Sequence, residues 1–287
     1  MKPDSRITRR VMDKVYGSQE AFNDVPQEKE APVARLTLSG KPVLDHHGVL
    51  ADFASKAASL FSEVFAVLMS DAILSNFGPV PDKETNRLML TGTVLGQSGF
   101  EFELPRKKLD LFPEIDLSAD AINKIEKLFR LAAQGNDDDV AEIVADMHGR
   151  TVKKMHEFLS FMVQQEAWCG VEFGERAFRF ADYEQIKYAA GKLAGDNIHE
   201  DKERHEGEFL GVLPVSRTFE FMLTVQEGLI RGKIDPAIED PDMLNQNWLY
   251  NPVITTFTVT RVGQGRPQYI LKSLDDIVPA EQSAGTE

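Results

Sequence analysis

The chain has 287 residues, of which 42% are hydrophobic, and its formal net charge at pH 7 is -14. This length and hydrophobic content exclude general disorder and predict a globular protein with a sizeable core. The longest apolar stretch, within residues 61–69, is far shorter than the roughly 20 apolar residues of a membrane-spanning helix, so no membrane partner is expected. The acidic balance disfavours binding of nucleic acid by the whole surface, although a local basic groove remains compatible with it.

A single cysteine, Cys169, limits the redox and metal chemistry of the chain. An intrachain disulfide and a thiolate cluster for zinc or iron-sulfur are both impossible, and no cofactor is expected. The basic residues at the N-terminus are not followed by an apolar run, so a secretory signal is not expected. These features together predict a cytoplasmic protein.

Residues 1–31 mix charged residues, Asn, Gln and Pro without a sustained period, and we interpret them as a flexible arm. The stretch VARLTLSG at 33–40 alternates as a half-buried strand does. Residues 50–68 place apolar side chains three and four positions apart, which predicts one long helix with a broad apolar stripe. The segment RLMLTGTVLGQSGFEFELP then predicts two strands joined by a turn, so the first unit is a helix on an antiparallel sheet.

From Ser118 onward the pattern changes to helices. Ser118 is predicted to cap a helix that ends at a left-handed Gly135, and two further helices follow over 136–149 and 151–167. Three helices with short connections suggest an antiparallel bundle or cap in the middle of the chain.

The stretch DNIHEDKERHEGE at 196–208 is so highly charged that we predict a linker, with a domain boundary near residue 206. Residues 207–278 predict short strands with Gly and Pro turns, typical of a small β-barrel of OB-like or SH3-like kind. A loop or short helix is expected at 235–249, and 279–287 form a polar tail. The predicted organisation is therefore an α+β domain over 32–206 followed by a barrel domain over 207–278.

A Phe-Glu-Phe triplet occurs at 100–102 and again at 219–221, each time after a Gly-containing turn. We interpret both as strands whose phenylalanines face a core and whose glutamate faces out, rather than as a duplication. The segment LMLTGTVLGQSGFEFEL and the closing segment, from GLIRGKIDPAIEDP at 228–241 to TTFTVTRVGQGRPQYIL at 255–271, are similar to stretches of uncharacterised bacterial proteins. This resemblance implies a bacterial cytoplasmic origin and carries no activity.

Two groups of residues could form an active site. Asp45, His46 and His47 lie together before the first helix and could ligate a metal ion in a hydrolase or nuclease, although a turn or helix cap is the commoner explanation of such a pattern. Cys169 could act as a nucleophile beside a histidine, but a buried structural cysteine is the commoner case. We assign no catalytic residue, and the sequence leaves open whether the protein is an enzyme.

Basic and aromatic residues alternate in the predicted barrel strands, as they do in barrels that bind single-stranded nucleic acid. We refer to them as the predicted binding set: Arg217, Phe219, Arg231, Lys233, Arg261, Arg266 and Tyr269. Residues 207–287 contain six Lys and Arg against eleven Asp and Glu, which disfavours a phosphate-rich partner. The leading hypothesis is a non-catalytic binding or regulatory protein that contacts a protein partner or itself. A metal-dependent hydrolase or nuclease, and single-stranded nucleic-acid binding by the barrel, are the alternatives.

Overall fold

The computed structural model describes residues 32–44, 48–71, 78–94, 98–105, 116–225 and 228–280. The predicted arm and residues 281–287 of the predicted tail lie outside these ranges. All the described residues belong to one unit, which contains two hydrophobic cores. The structure is α+β as expected, but whether residues 32–206 and 207–278 fold as separate domains remains a prediction.

A five-stranded antiparallel sheet contains the first predicted strand at its centre. Its strand order is β4-β5-β1-β6-β7, with bounds β1 Val33–Gly40, β4 Met89–Thr93, β5 Gly99–Glu103, β6 Ala167–Phe173 and β7 Arg176–Arg179. The short strands β2 Val43–Leu44 and β3 Gly48–Val49 pair separately. The predicted alternation is confirmed in β1, where Ala34, Leu36 and Leu38 are all buried.

Five helices pack with this sheet and with one another around the first core. They are α1 Ala51–Met69, α2 Leu117–Gln134, α3 Asp137–Ala145, α4 Gly149–Gln164 and α5 Tyr183–Lys192. The apolar stripe predicted for α1 is buried at Phe53, Phe61 and Phe65.

The predicted ends of α2 need correction at both termini. Asp116, not Ser118, is the N-cap, and its carboxylate accepts hydrogen bonds from the backbone N–H groups of Ser118 and Ala119. The Ser118 hydroxyl instead donates to the carbonyl of Pro105 across the fold. Gly135 has φ -76°, so the helix ends without a left-handed residue. Helix α3 begins after Asn136 with a capping box, as the acidic first turn suggests, but it ends at Ala145 rather than at residue 149.

The C-terminal part is a closed five-stranded barrel. Its strands are β8 Ile198–Leu213, β9 Thr218–Leu223, β10 Leu229–Ile234, β11 Val253–Val262 and β12 Gln268–Leu271. They pair in the order β12-β10-β9-β8-β11, and β11 pairs with β12 to close the barrel. Helix α6, Asp242–Asn247, lies in the predicted position between β10 and β11. The last strand, β13 Ile277–Pro279, extends the sheet beside β11.

The pairing order decides between the two predicted kinds of barrel. The third and fifth barrel strands, β10 and β12, are parallel, while the other barrel pairs are antiparallel. The first strand, β8, pairs with β9 through its second half and with β11 through its first half. This five-stranded Greek-key arrangement is OB-like.

The predicted linker at 196–208 is wrong. Most of this stretch forms the first half of β8, which is hydrogen-bonded to β11 over Ile198 to Gly207. Gly207 is the residue at which β8 changes partner, since it pairs with both Val253 and Leu223. A Cβ atom at Gly207 would lie 2.0 Å from the carbonyl oxygen of Met222, so this crossing requires a residue without a side chain.

Helix α3 connects the helical part to the barrel. It packs against β11 and β12, and Val262 of β11 is buried in the first core with the helices. The turn between β11 and β12 is held at the start of α3, where Gln264 N–H donates to the Asp137 carboxylate at 3.3 Å. Arg266 N–H donates to the carboxylate of Asp138. One face of the barrel therefore lies directly beside α3.

Candidate binding cleft

On the outer face of the barrel, nine positions of β8, β9 and β10 are paired in three rows of three, which we call the outer grid. The inward residues of β9, Phe219 and Phe221, are buried in the barrel core. Because side chains alternate along a strand, Thr218, Glu220 and Met222 point outward. The rows across β8, β9 and β10 are Leu213–Thr218–Lys233, Gly211–Glu220–Arg231 and Glu208–Met222–Leu229.

A cleft of about 570 Å³ opens between this face and α3. This volume lies within the range of pockets that hold ligands. Helix α3 contributes Glu142, and the strands provide the remaining lining residues, which include Gly211, Leu213, Thr218, Phe219, Glu220, Arg231, Gly232, Lys233 and Gln268.

Gly211 leaves space in the cleft for a ligand. It follows a bulge between Phe209 and Gly211, which shifts the register of β8 against β9. A Cβ atom built on Gly211 would have no heavy atom within 4 Å, so the position is open. Leu213 lies beside it with 64% of its surface exposed, which gives the cleft an apolar wall.

The two cations of the cleft are both paired with carboxylates. Arg231 Nε lies 2.9 Å from Glu220 Oε1 on the neighbouring strand. Lys233 Nζ lies 2.7 Å from Asp146 Oδ2, just after α3, and 3.7 Å from Glu142 Oε1. Since Lys233 belongs to β10, these contacts link the barrel directly to the end of α3.

Three members of the predicted binding set line the cleft: Arg231 and Lys233, which point outward, and Phe219, whose ring is buried in the barrel core beneath it. Arg217 lies in the turn between β8 and β9, where its guanidinium donates to the backbone carbonyls of Ile234, Asp235 and Ile238. It therefore binds the connection that leads from β10 to α6. Arg266 is exposed and lies 3.6 Å from Asp138.

The remaining two members, Arg261 and Tyr269, belong to a second polar group with Glu203 and His205. Arg261 donates to Glu203 at 2.8 Å, and His205 Nε2 lies 3.1 Å from the same carboxyl group. The His205 ring contacts the rings of Phe257 and Tyr269. Burial, assisted by the negative charge of Glu203, raises the pKa of Tyr269. This group does not line the cleft.

The predicted metal site, Asp45, His46 and His47, lies outside the described residues. Within the described ranges, no group of three His, Cys, Asp or Glu side chains is placed to hold a metal ion. Cys169 is fully buried in β6, and burial raises the pKa of its thiol far above the ordinary value. A protonated thiol without solvent access is a poor nucleophile.

Helix α4 also carries a serine-histidine pair, which no sequence motif indicates. Ser160 Oγ lies 3.2 Å from His156 Nε2, and His156 Nδ1 lies 3.0 Å from the carbonyl oxygen of Ala190. The two residues are four positions apart on one helix, so their contact also follows from helix geometry alone. Neither residue lines the cleft at the barrel.

Another cleft of about 540 Å³ lies along α5 and includes Tyr188 and Lys192. Lys192 is buried, and its ammonium group donates to the carbonyl of Gly135 at the end of α2. The same group lies 3.7 Å from Asp137 and 4.9 Å from the centre of the Tyr188 ring. Lys192 thus joins α2, α3 and α5, which is a structural role.

Sequence reasoning missed Leu213, Gly211 and Glu142. Leu213 and Gly211 were part of a correctly predicted strand, but the bulge that opens the cleft has no separate sequence signal beyond the glycine itself. Glu142 was one of many acidic residues on a predicted helix, and only the packing of α3 beside β10 places it at the cleft. The alternation of β10, with Arg231 and Lys233 facing out, was the signal that did point to this face.

These features define an α+β protein with a closed OB-like barrel and an open cleft on the outer face of three of its strands. No protein-family model, curated protein or solved structure matches this chain. Among the described residues, no helix is both long enough and apolar enough to cross a membrane.

Proposed function

We propose that this chain is a non-catalytic binding or regulatory protein of the bacterial cytoplasm that contacts a macromolecular partner through the outer face of β8, β9 and β10. The observation that carries the proposal is the cleft of about 570 Å³ between α3 and this face. Its wall includes an exposed leucine, Leu213, and its Gly211 floor is open. An apolar recess with a few polar groups at its rim is typical of a binding site.

The pairing of the basic residues favours a protein partner over nucleic acid. Binding of nucleic acid depends on lysine and arginine side chains that can neutralise its phosphates and release the counterions condensed on it. Arg231 and Lys233 already contact carboxylates, and Arg217 contacts three backbone carbonyls. A phosphate at the cleft would have to compete with Glu220 and Asp146, whereas a protein surface can bring cations and apolar groups of its own.

Site-specific photocrosslinking tests this proposal. A photoreactive phenylalanine analogue at Leu213 should crosslink a defined macromolecule in lysate of the source organism, and the same analogue at Tyr250, exposed but outside the cleft, should not. The crosslink should disappear in Gly211→Val, because the valine side chain fills the open floor. Gly195→Val, at another glycine whose Cβ would meet open space, is the matched control. Equal crosslinking from Leu213 and Tyr250, or none from either, would contradict the proposal.

A further inference from the structure

The side chains around the cleft carry more negative than positive charge. The outer grid and the end of α3 contribute four carboxylates, Glu142, Asp146, Glu208 and Glu220, against two cations, Arg231 and Lys233. Lys233 lies closer to Asp146 than to Glu142, and the Glu142 side chain is 66% exposed. After the two cations are paired, negative charge therefore remains at the rim, on a chain whose net charge is already -14.

Apolar side chains continue along the grid beyond the cleft itself. Met222 and Leu229 pair across β9 and β10, and both are partly exposed. Glu208 is the third member of their row. A ligand that covers Leu213 in the cleft and also reaches Met222 must be longer than a small metabolite, and it meets both apolar surface and carboxylates.

We propose that the cleft binds a positively charged peptide segment of a partner protein. An apolar side chain of the segment lies against Leu213 over Gly211, and a lysine or arginine of the segment pairs with Glu142. Complementary charge at the rim selects the partner and speeds association, while the buried apolar side chain provides most of the affinity. This inference rests on the proposed function, because it assigns the chemical class of partner to the same cleft.

The experiment uses the full chain, immobilised, and a phage-displayed library of random 12-residue peptides. We expect the enriched peptides to carry net positive charge together with at least one large apolar residue. A synthetic labelled copy of the enriched sequence should then bind in a fluorescence anisotropy titration. Its binding should weaken with added salt, since exposed ion pairs are screened.

Two variants connect this binding to the cleft. Glu142→Gln should weaken peptide binding about threefold, the size expected for one partly exposed ion pair. Gly211→Val should abolish it. Glu175→Gln, at an exposed turn between β6 and β7, is the matched charge control and should bind as the wild type does. Unchanged melting temperatures would show that the variants remain folded.

The inference would be overturned by enrichment of neutral or acidic peptides, by no enrichment, or by equal binding to the wild type and Glu142→Gln. Tighter binding of an oligo-dT 12-mer than of the selected peptide would also overturn it and would favour single-stranded nucleic acid. If Leu213 still crosslinks a partner while any of these results is obtained, the proposed function stands and only the class of partner is wrong. If the crosslink also fails, both are wrong.

Discussion

At the scale of single residues, Arg217 shows how an arginine that resembles a ligand contact can serve the fold instead. Its backbone has φ 52°, a left-handed conformation that costs a residue with a side chain about 1 kcal/mol. From this turn the guanidinium donates hydrogen bonds to the carbonyls of Ile234, Asp235 and Ile238. The sequence places Arg217 in or beside a predicted barrel strand, but the three acceptors lie on a distant connection and have no local pattern.

We therefore expect Arg217→Ala to lower the free energy of unfolding by about 2 kcal/mol, since hydrogen bonds from a charged donor to buried acceptors contribute on this order. Arg231→Ala should change it by less than about 0.5 kcal/mol, because the Arg231 pair with Glu220 is exposed. Urea denaturation of both variants measures the two values. A larger effect at Arg231 than at Arg217 would contradict the assignment of Arg217 to the fold.

Tyr269 gives a residue-scale prediction for alkaline pH. Burial, followed by the charge of Glu203, raises its pKa, so the folded state keeps the phenol proton at a pH where the unfolded chain has lost it. Stability from this group is thus present below the ordinary tyrosine pKa of about 10 and is lost as the pH rises through the higher pKa of the folded state. Tyr269→Phe should make unfolding less sensitive to pH above about 10.

The measurement is a series of denaturation curves across this pH range, with absorbance at 295 nm to follow phenol ionisation. Tyr250→Phe is the control, because Tyr250 is 63% exposed. If the two variants lose the same alkaline sensitivity, the burial of Tyr269 has no effect on its ionisation.

Cys169 can be tested directly because it is the only cysteine in the chain. Its burial and raised pKa predict that the thiol stays unmodified by a thiol-disulfide reagent in the native protein. One equivalent should react after unfolding in guanidinium chloride. Rapid reaction of the native protein would show that β6 opens easily and would restore Cys169 as a candidate nucleophile.

At the scale of elements, β8 explains why the sequence predicted a barrel and still misplaced its first strand. In the first half of β8, the side chains of His199, Glu200 and Asp201 are exposed, and even Glu203 and His205 form a polar group. Alternation of apolar and polar residues is therefore missing, although the backbone pairs regularly with β11. A charged strand of this kind cannot be distinguished from a linker without knowledge of its partner. The second half, which faces the barrel core at Phe209 and Val212, was recognised.

The two Phe-Glu-Phe triplets show the predicted alternation, with phenylalanine side chains toward a core and glutamate side chains toward solvent. They lie in β5 and β9, where Phe102 and Phe221 are buried. Their glutamates each pair with an arginine on the neighbouring strand, Glu101 with Arg35 and Glu220 with Arg231. The strands belong to different sheets with different neighbours, so shared strand chemistry is sufficient to explain the resemblance.

Alanine substitutions at two glycines of β8 should have different effects on stability. In Gly207→Ala the new methyl group would meet the Met222 carbonyl and the Phe221 ring, so we expect a loss of about 2 kcal/mol in stability. Gly211→Ala adds the same methyl group to open space and should change stability by less than about 0.5 kcal/mol. Guanidinium denaturation compares them. Equal losses of stability would show that the position where β8 changes partner can accommodate a side chain.

At the scale of the whole molecule, the barrel sheet and the helical part each include residues from both sides of the predicted boundary near residue 206. Residues 198–206 belong to the barrel sheet, while Val262 of β11 is buried with the helices. The broad division into a sheet with helices and a small barrel was predictable, because it follows from local periodicity. The closure of the barrel and the position of α3 depend on long-range contacts that periodicity does not record.

Two fragments test whether the barrel needs the first half of β8 in order to fold. Residues 207–280 alone lack the part of β8 that pairs with β11, so the barrel cannot close and the fragment should give a poorly dispersed NMR spectrum. Residues 195–280 retain the whole of β8 and should give a dispersed one, with lower stability than the full chain because Val262 becomes exposed. A well-folded 207–280 fragment would support the boundary near residue 206 that the sequence suggested.

The position of Lys233 has a thermodynamic consequence for ligand binding. This residue belongs to β10 yet contacts Asp146 and Glu142, so the cleft is formed only when the barrel and α3 are both folded and in place. Any ligand held there binds the assembled state alone, and by mass action it stabilises both parts together. Occupancy would thus slow hydrogen exchange in α3 as well as in the strands, which makes amide protection on the helix an independent readout of binding at the barrel.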